Sequence, residues 1–128
     1  MKRSGGWLWL AVLALLLTVP APALAAGPRP LEQLTVTADS HPLRVWARRA
    51  ARPKGAVLFV HGRTWSARPN FDLSTPSGSM SILQAFADRG YAAYAIDLRG
   101  YGETPRDASG WLSPDRAAAD VKAALDWI

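Results

Sequence analysis

Two polar segments that each follow an apolar run contain the residue types used in catalysis. His61-Gly62-Arg63-Thr64 comes directly after Ala56–Val60, and Asp97-Leu-Arg99-Gly100-Tyr-Gly102 comes directly after Tyr91–Ile96. A histidine and a carboxylate at the ends of two strands are the types that serve as a general base and the acid that orients it. His61 and Asp97 are therefore the first pair to consider as a catalytic dyad.

Gly100-x-Gly102 after a strand also has the beginning of a dinucleotide-binding fingerprint. The third glycine of that fingerprint would fall at Pro105, and no helix begins there. A dinucleotide site is thereby excluded, and these glycines instead predict a turn at the end of the strand.

The two apolar runs predict the strands that position these segments. A short run without polar residues between turn signals is typical of a strand buried on both faces, as in parallel sheets. Between the runs, the apolar residues Met80, Leu83, Phe86 and Ala87 predict a helix from Met80 to Arg89, capped by Gly90. The order strand, helix, strand predicts a right-handed crossover with two parallel strands.

The flanking segments complete the predicted order of elements. Residues 34–37 and 43–47 are two β-rich stretches around turn residues 38–42, which predicts a hairpin. Ser113-Pro114-Asp115 predicts the start of a last helix, with Ser at the N-cap and Pro at the first position. Its predicted apolar stripe consists of Ala117, Val121, Ala124, Leu125 and Ile128.

Three stretches of the sequence together resemble the α/β-hydrolase family. They are Gly55-Ala-Val-Leu-Phe-Val-His61-Gly62, the helix end Phe86-Ala-Asp-Arg-Gly90, and Tyr94-Ala-Ile-Asp97-Leu-Arg99-Gly100-Tyr-Gly102-Glu-Thr104. The resemblance covers roughly residues 33–128. It implies the N-terminal part of an α/β-hydrolase sheet, incomplete here: a β-hairpin, then a right-handed β-α-β unit and a further helix.

The resemblance also implies where the catalytic residues come from. In this family the nucleophile lies in a Gly-x-Ser-x-Gly turn after the fifth strand, followed along the chain by an acid and a histidine. The sequence contains no Gly-x-Ser-x-Gly, and Gly78-Ser-Met-Ser-Ile82 has the wrong spacing. The chain also stops on an apolar helix face without a capping residue. We therefore expect nucleophile, acid and base beyond residue 128, and no catalytic residue within the chain.

One part of the catalytic machinery is expected within the chain. In α/β-hydrolases a backbone N–H after the third strand helps to bind the oxyanion, and by family position this donor is Arg63, with Thr64 as second candidate. The residues expected only to shape the loops are His61, Gly62, Asp97, Arg99, Gly100 and Gly102. His61 is thus expected to orient its loop by hydrogen bonding, since the family's catalytic histidine comes near the C-terminus.

The segment Arg63–Ser77 is long for a connection between a strand and a helix, which usually takes about 2–6 residues. It contains two aromatic residues, Trp65 and Phe71. Both are candidates for the substrate side of a site, and for both the alternative is that they only fix the loop.

The N-terminus predicts export. Lys2 and Arg3 precede an apolar run from Trp7 to Val19 interrupted only by Thr18, and Ala23-Leu-Ala25 has the small-x-small pattern of a signal peptidase site. The run is shorter than the ~18–20 residues that span a membrane. We predict a signal peptide over residues 1–25 cleaved after Ala25, a mature domain over 26–128, and no stable membrane span.

Charge and composition exclude several classes of function. Without residues 1–25 the chain has 13 basic and 10 acidic residues, so its net charge falls from +5 to +3. The basic residues Arg44, Arg48, Arg49, Arg52 and Lys54 lie along a predicted strand and its exit, which favours a solvated face over a nucleic-acid site. No metal cluster or phosphate loop is present, so we expect no cofactor, no metal and no nucleic-acid partner.

The leading hypothesis is an exported serine hydrolase whose substrate is a small molecule with an ester or related acyl bond. An Asp nucleophile of the kind found in dehalogenases and epoxide hydrolases is the alternative within the fold. A non-catalytic binding protein is the alternative outside enzymes. It is disfavoured because the family's strand order would leave Ala56–Val60 as an open apolar edge, which recruits other chains.

Overall fold

The computed structural model of the chain describes residues 27–128, and the predicted signal peptide lies outside these residues. The described residues form six strands and three helices. They are β1 (Glu32–Ala38), β2 (His41–Arg49), β3 (Ala56–Val60), α1 (Ala67–Phe71), β4 (Asp72–Thr75), β5 (Gly78–Ser81), α2 (Ile82–Asp88), β6 (Ala92–Asp97) and α3 (Pro114–Trp127).

The main sheet has the strand order β1-β2-β6-β3. The pairs β1–β2 and β2–β6 are antiparallel, whereas β3 lies parallel to β6 in a register that pairs Val60 with Ile96. The parallel pair and the hairpin confirm the predicted mixed α/β fold. The hairpin turn is shorter than predicted, because Asp39 and Ser40 both adopt positive φ angles, 49° and 61°, as in the two-residue turns that match the twist of paired strands.

Helices cover both faces of this sheet. On one face α3 buries Ala124 against alternate residues of β1, β2 and β6. On the other face α1 and α2 bury Ala67 and Leu83 against Trp46, Ala93 and Ala95. Since successive strand residues point to opposite faces, the continuous apolar sequence of β6 supplies both cores.

β3 is less buried than its sequence predicts. Ala56 and Val60 are exposed, and Val57, Leu58 and Phe59 are only partly covered. The reason is its position, because β3 lies at the end of the sheet and only β6 pairs with it in the described part of the chain. The prediction that both faces of β3 are buried is therefore wrong for the described part of the chain.

The segment between β3 and β6 also differs from the prediction. Met80 belongs to strand β5 and is exposed, and α2 begins only at Ile82 because the Ser81 hydroxyl caps it, accepting from the Gln84 N–H at 2.9 Å. The predicted loop Arg63–Ser77 contains α1 and β4. β4 and β5 form a separate antiparallel hairpin.

An ion pair fixes this hairpin to the main sheet. The buried Asp72 carboxylate binds the Arg48 guanidinium through two contacts, at 2.7 Å to Nε and 3.1 Å to Nη2, and also accepts from Ser81. The predicted solvated row of basic residues is therefore wrong at Arg48, which the folded chain uses as an internal link.

α3 begins as predicted. Ser113 accepts from the Arg116 N–H at 3.3 Å, and Pro114 is the first helical residue. Of its predicted apolar stripe Ala124 is buried, whereas Leu125 and Ile128 remain exposed in the described chain. At this end of the helix Trp127 packs edge-to-face against Tyr94, with ring centroids 6.2 Å apart.

Candidate active site

Two loops meet at one edge of the sheet, which we call the carboxyl edge. β3 and β6 are parallel, so the loop 61–66 after β3 and the loop 98–113 after β6 leave the sheet side by side. In α/β sheets this is the edge at which ligands bind. All residues singled out from the sequence except Phe71 lie in these loops or where they join the strands.

His61 joins the two loops. Its Nε2 lies 3.1 Å from the backbone N–H of Leu98, which can only donate, so Nε2 accepts and the ring proton is on Nδ1. Nδ1 in turn donates to the Gly62 carbonyl at 2.8 Å, and the ring packs against Tyr101 with centroids 5.1 Å apart. The side chain is buried and both nitrogens are occupied, so His61 is not available as a general base here.

The backbone after His61 turns sharply. Trp65 N–H donates to the Gly62 carbonyl at 3.2 Å, which closes a β-turn with Arg63 and Thr64 as its central residues. Neither central N–H takes part in the turn's own hydrogen bond, and neither donates to another acceptor within the described chain. Gly62 itself has no left-handed φ, and a side chain there would meet no described atom, so the turn does not require glycine at this position.

Asp97 holds three segments together. Its buried carboxylate accepts from the Trp46 indole N–H at 2.9 Å, from the Ala67 N–H at 2.7 Å and from the Glu103 N–H at 3.2 Å. It makes no hydrogen bond with His61. The catalytic dyad suggested by residue types alone does not form, and the carboxylate instead fixes β2, the start of α1 and the loop after β6.

Gly102 lies directly over this carboxylate. Its φ is +52°, in the left-handed region, and a methyl group in place of its hydrogen would overlap with the Asp97 carboxyl carbon and both oxygens. Thr104 completes the turn, since its hydroxyl donates to the Asp97 carbonyl at 2.6 Å and accepts from the Arg44 N–H at 2.8 Å. The loop after β6 is thus tied back to its own strand and to β2.

Arg99 anchors the same loop to α3. Its buried guanidinium binds both oxygens of Asp120 at 2.8–3.0 Å, Asp107 at 3.1 Å and the Ala38 carbonyl at 3.1 Å. The hydrogen bonds to Asp120 raise the pKa of Arg99 further, against the opposing effect of burial. Asp120, on the buried face of α3, was not a sequence candidate, because an isolated acid on a helix is usually solvated.

The two aromatic candidates have different environments. Trp65 is exposed and lines an open cleft of about 280 Å³ together with Thr64, Pro69, Gly100 and Gly102. Phe71, the last residue of α1, is partly buried and packs against Phe59, with ring centroids 5.2 Å apart. Phe71 therefore fixes its segment and does not face the carboxyl edge.

A second cavity lies between the two loops. It has a volume of about 200 Å³, and its lining residues Leu98, Tyr101, Leu112, Pro114 and Ala117 are mostly apolar, with Arg63 beside them. Tyr101 and Leu112 were missed by the sequence analysis, because a single aromatic or aliphatic residue in a loop carries no signal of its own.

The described residues at this edge provide hydrogen-bond donors but no activated nucleophile. Within residues 27–128 neither histidine is hydrogen-bonded to a hydroxyl group, and no cluster of three metal-ligating side chains occurs. This edge contains a turn in which two N–H groups have no acceptor among the described residues, and the turn lies beside an apolar cavity. Among the described helices none is long and apolar enough to cross a bilayer.

Comparison with known sequences identifies the family. The sequence profile described as "Alpha/beta hydrolase family" matches residues 57–128, which is more than half of the chain. The chain belongs to the alpha/beta hydrolase family. No curated protein sequence matches this hydrolase chain.

Solved structures similar to this alpha/beta hydrolase chain have three different activities in their names. A thioesterase domain from the curacin biosynthetic pathway superposes with a TM-score of 0.62 at 16% identity, covering 77% of this chain and 32% of that one. An esterase from Pyrococcus furiosus gives 0.56 at 17% identity, covering 77% and 34%. An epoxide hydrolase from Vigna radiata gives 0.55 at 27% identity, covering 76% and 28%. This alpha/beta hydrolase chain thus spans about a third of the length of these structures.

Proposed function

We propose that the chain is the N-terminal part of an exported serine hydrolase, which cleaves esters or related acyl bonds of small molecules and takes its oxyanion turn from this chain. One observation carries the proposal. The β-turn Gly62–Trp65 lies at the carboxyl edge and leaves the N–H groups of Arg63 and Thr64 without an acceptor among the described residues, and His61 bonds the turn to the neighbouring loop. Preorganised N–H donors of this kind stabilise the negative charge of a tetrahedral intermediate.

The remaining catalytic groups belong, in this proposal, to residues outside the 128. The sequence has no Gly-x-Ser-x-Gly, and the chain spans 28–34% of the solved structures named above. Loss of a nucleophile lowers kcat by on the order of 10⁶. We therefore expect residues 26–128 alone to be inactive, and the full reading frame at this locus to supply a strand followed by the nucleophile turn.

The oxyanion role of Arg63 is testable because Arg63 is the second residue of its turn. Proline is favoured at that position of a β-turn and has no N–H, so Arg63→Pro removes the donor and keeps the turn. Arg63→Ala is the matched control, since it removes the same side chain and keeps the donor. In the full-length enzyme, kcat for a neutral 4-nitrophenyl ester should be about 10²–10³ lower for Arg63→Pro than for Arg63→Ala.

Equal kcat values for the two variants would refute the assignment to Arg63. A matching pair at Thr64 then tests the second donor. Because proline is disfavoured at the third residue of a β-turn, NMR must first establish that Thr64→Pro keeps the turn. If neither pair differs, this turn is not the oxyanion hole.

An Asp nucleophile is the second candidate, favoured by the 27% identity to the epoxide hydrolase from Vigna radiata. A fluorophosphonate probe separates the two, because it labels an activated serine and not a carboxylate. Labelling of the full-length protein supports the serine hydrolase. Turnover of an epoxide without labelling would replace the serine hydrolase with the second candidate. The absence of both labelling and epoxide turnover would favour a non-catalytic protein.

Export is part of the proposal and has its own test. Expressed from its own gene, the protein should be recovered outside the cytoplasm with Ala26 as its first residue, because residues 1–25 have the charge, apolar run and Ala23-Leu-Ala25 site of a signal peptide. N-terminal sequencing of the recovered protein decides this, and an N-terminus at Met1 would contradict it.

A further inference from the structure

Three of the eight residues that line a small cavity on the carboxyl edge are arginines. Its volume is about 100 Å³, and Arg63, Arg99 and Arg106 surround it together with Tyr101, Asp107 and Trp111. Three cations and one carboxylate around one cavity raise the question of which charges are already neutralised within the protein.

The charges of Arg99 and Asp107 are neutralised internally. Arg99 binds Asp120 and Asp107, as described above. Asp107 accepts from Arg99 at 3.1 Å and from Arg116 at 2.8 Å on one oxygen, and from the Ser109 backbone and hydroxyl on the other. The Ser109 hydrogen bonds and the two arginines lower the pKa of Asp107 to about 2, so it remains ionised and committed to these partners.

Arg63 and Arg106 have no such partner. Neither forms an ion pair within the described residues, and residues 1–26 contain no Asp or Glu that could supply one. Two positive charges at this cavity are therefore left for a ligand.

Both side chains are nevertheless held in position. The Arg63 guanidinium lies 4.3 Å from the centre of the Trp111 ring, a cation–π distance. The stem of Arg106 crosses Gly100 so closely that a methyl group there would lie 2.9 Å from its Cγ, and its Nη1 donates to the Gly110 carbonyl at 3.4 Å. Arginines fixed before binding lose less freedom when a ligand arrives.

We propose that this cavity binds an anionic group of the substrate, a carboxylate or phosphate at the end of its acyl chain. The inference rests on the proposed function, since Arg63 belongs to the proposed oxyanion turn. The Arg63 guanidinium and the Arg63 backbone N–H are one side chain apart. A substrate that contacts both therefore carries its anionic group only a few carbon–carbon bonds from the carbonyl group that reacts. Planar arginine forks are well suited to binding both kinds of anion.

The test compares two esters with acyl chains of equal length. These are 4-nitrophenyl hexanoate, which is neutral, and mono-4-nitrophenyl adipate, in which a carboxylate replaces the terminal methyl group. The full-length enzyme should have the higher kcat/KM for the adipate ester, and this preference should shrink with added salt because the arginines are exposed to solvent.

Arg106→Gln should lower the ratio of kcat/KM for the adipate ester to kcat/KM for the hexanoate ester about tenfold. This factor corresponds to the lower end of the free energy of a hydrogen bond to a charged group. The matched control is Arg52→Gln, which removes the same charge from an exposed residue before β3. β3 separates that residue from the carboxyl edge by about 16 Å, so the ratio should not change.

Each outcome separates this inference from the proposed function. If the neutral ester is hydrolysed and Arg106→Gln leaves the ratio unchanged, the anion site is refuted while the hydrolase stands. If neither ester is hydrolysed, the proposed function fails, and binding of adipate and inorganic phosphate, followed by NMR, decides the site. If these anions bind and Arg106→Gln weakens the binding, the anion site is retained. Tighter binding of adipate than of phosphate then favours a substrate group as its ligand, and tighter binding of phosphate favours free phosphate. If neither anion binds, the anion site is overturned.

Discussion

Replacement of Gly102 by alanine should destabilise the protein far more than an ordinary glycine substitution. A methyl group at Gly102 overlaps with all three atoms of the Asp97 carboxyl group, which is buried and held by hydrogen bonds from Trp46, Ala67 and Glu103. The carboxylate cannot move aside without giving up at least the two shorter bonds, from Trp46 and Ala67. Two costs therefore combine, the left-handed backbone and the displaced carboxylate.

The structure provides a control that separates these costs. Gly110 also has a left-handed backbone, with φ +66°, but a methyl group there meets no atom within 4 Å. Gly110→Ala should lose only the backbone cost, about 1–2 kcal/mol. Gly102→Ala should lose in addition the bonds from Trp46 and Ala67, at about 1.5–3 kcal/mol each for a charged acceptor. The expected difference between the two variants is about 3–6 kcal/mol.

Urea unfolding of the mature full-length protein, followed by tryptophan fluorescence, measures both losses. A further variant checks the cause, because Gly102→Ala made in an Asp97→Ala background should cost no more than Gly110→Ala. If the two glycine variants differ by less than about 0.5 kcal/mol, the resolution expected for independent sites, the role assigned to the Asp97 carboxylate is wrong.

Three further predictions concern polar groups in hydrogen-bond networks near the same edge. Asp120→Asn leaves the buried Arg99 guanidinium without its main partner and should lower the free energy of unfolding by about 3–5 kcal/mol. The double variant Arg99→Met/Asp120→Leu removes both charges and should lower the free energy of unfolding by less in the same urea assay. The pKa of Asp107 is lowered from 3.8 to about 2, so its contribution to stability is complete above pH 3.8 and is lost as the pH falls to about 2. Wild type and Asp107→Asn should therefore differ in unfolding free energy at pH 5 and converge near pH 2; a constant difference would contradict this. Nitrogen NMR of His61 should find Nε2 unprotonated in the neutral ring, and a proton on Nε2 would contradict the bond from Leu98.

The elements that the sequence predicts well are those with a local signal. β6 and the start of α3 follow from an apolar run and from a capping residue with proline, which act within a few residues. The parallel pairing of β3 with β6 follows from the helix between them. The hairpin β4–β5 was missed because its main anchor, the ion pair of Asp72 with Arg48, joins residues 24 positions apart.

The candidate site was predictable only where its residues carry a local sequence signal. The family resemblance selects the two loops, and residue types alone suggest a dyad of His61 and Asp97. The dyad does not form because Asp97 bonds to Trp46 and Ala67, which lie 51 and 30 positions away, and neither has a pattern that predicts the contact. Arg106 and Trp111 were likewise absent from the candidates, since their significance comes only from what surrounds them.

The Asp97 contacts have a consequence for amide hydrogen exchange. The N–H groups of Ala67 and Glu103 are protected by a side chain of β6, so each can exchange with solvent only when that carboxylate is released. Release of the carboxylate also frees the Trp46 indole on β2. These amides should therefore open together with the sheet, at its slow rate, although they belong to loops and to a one-turn helix.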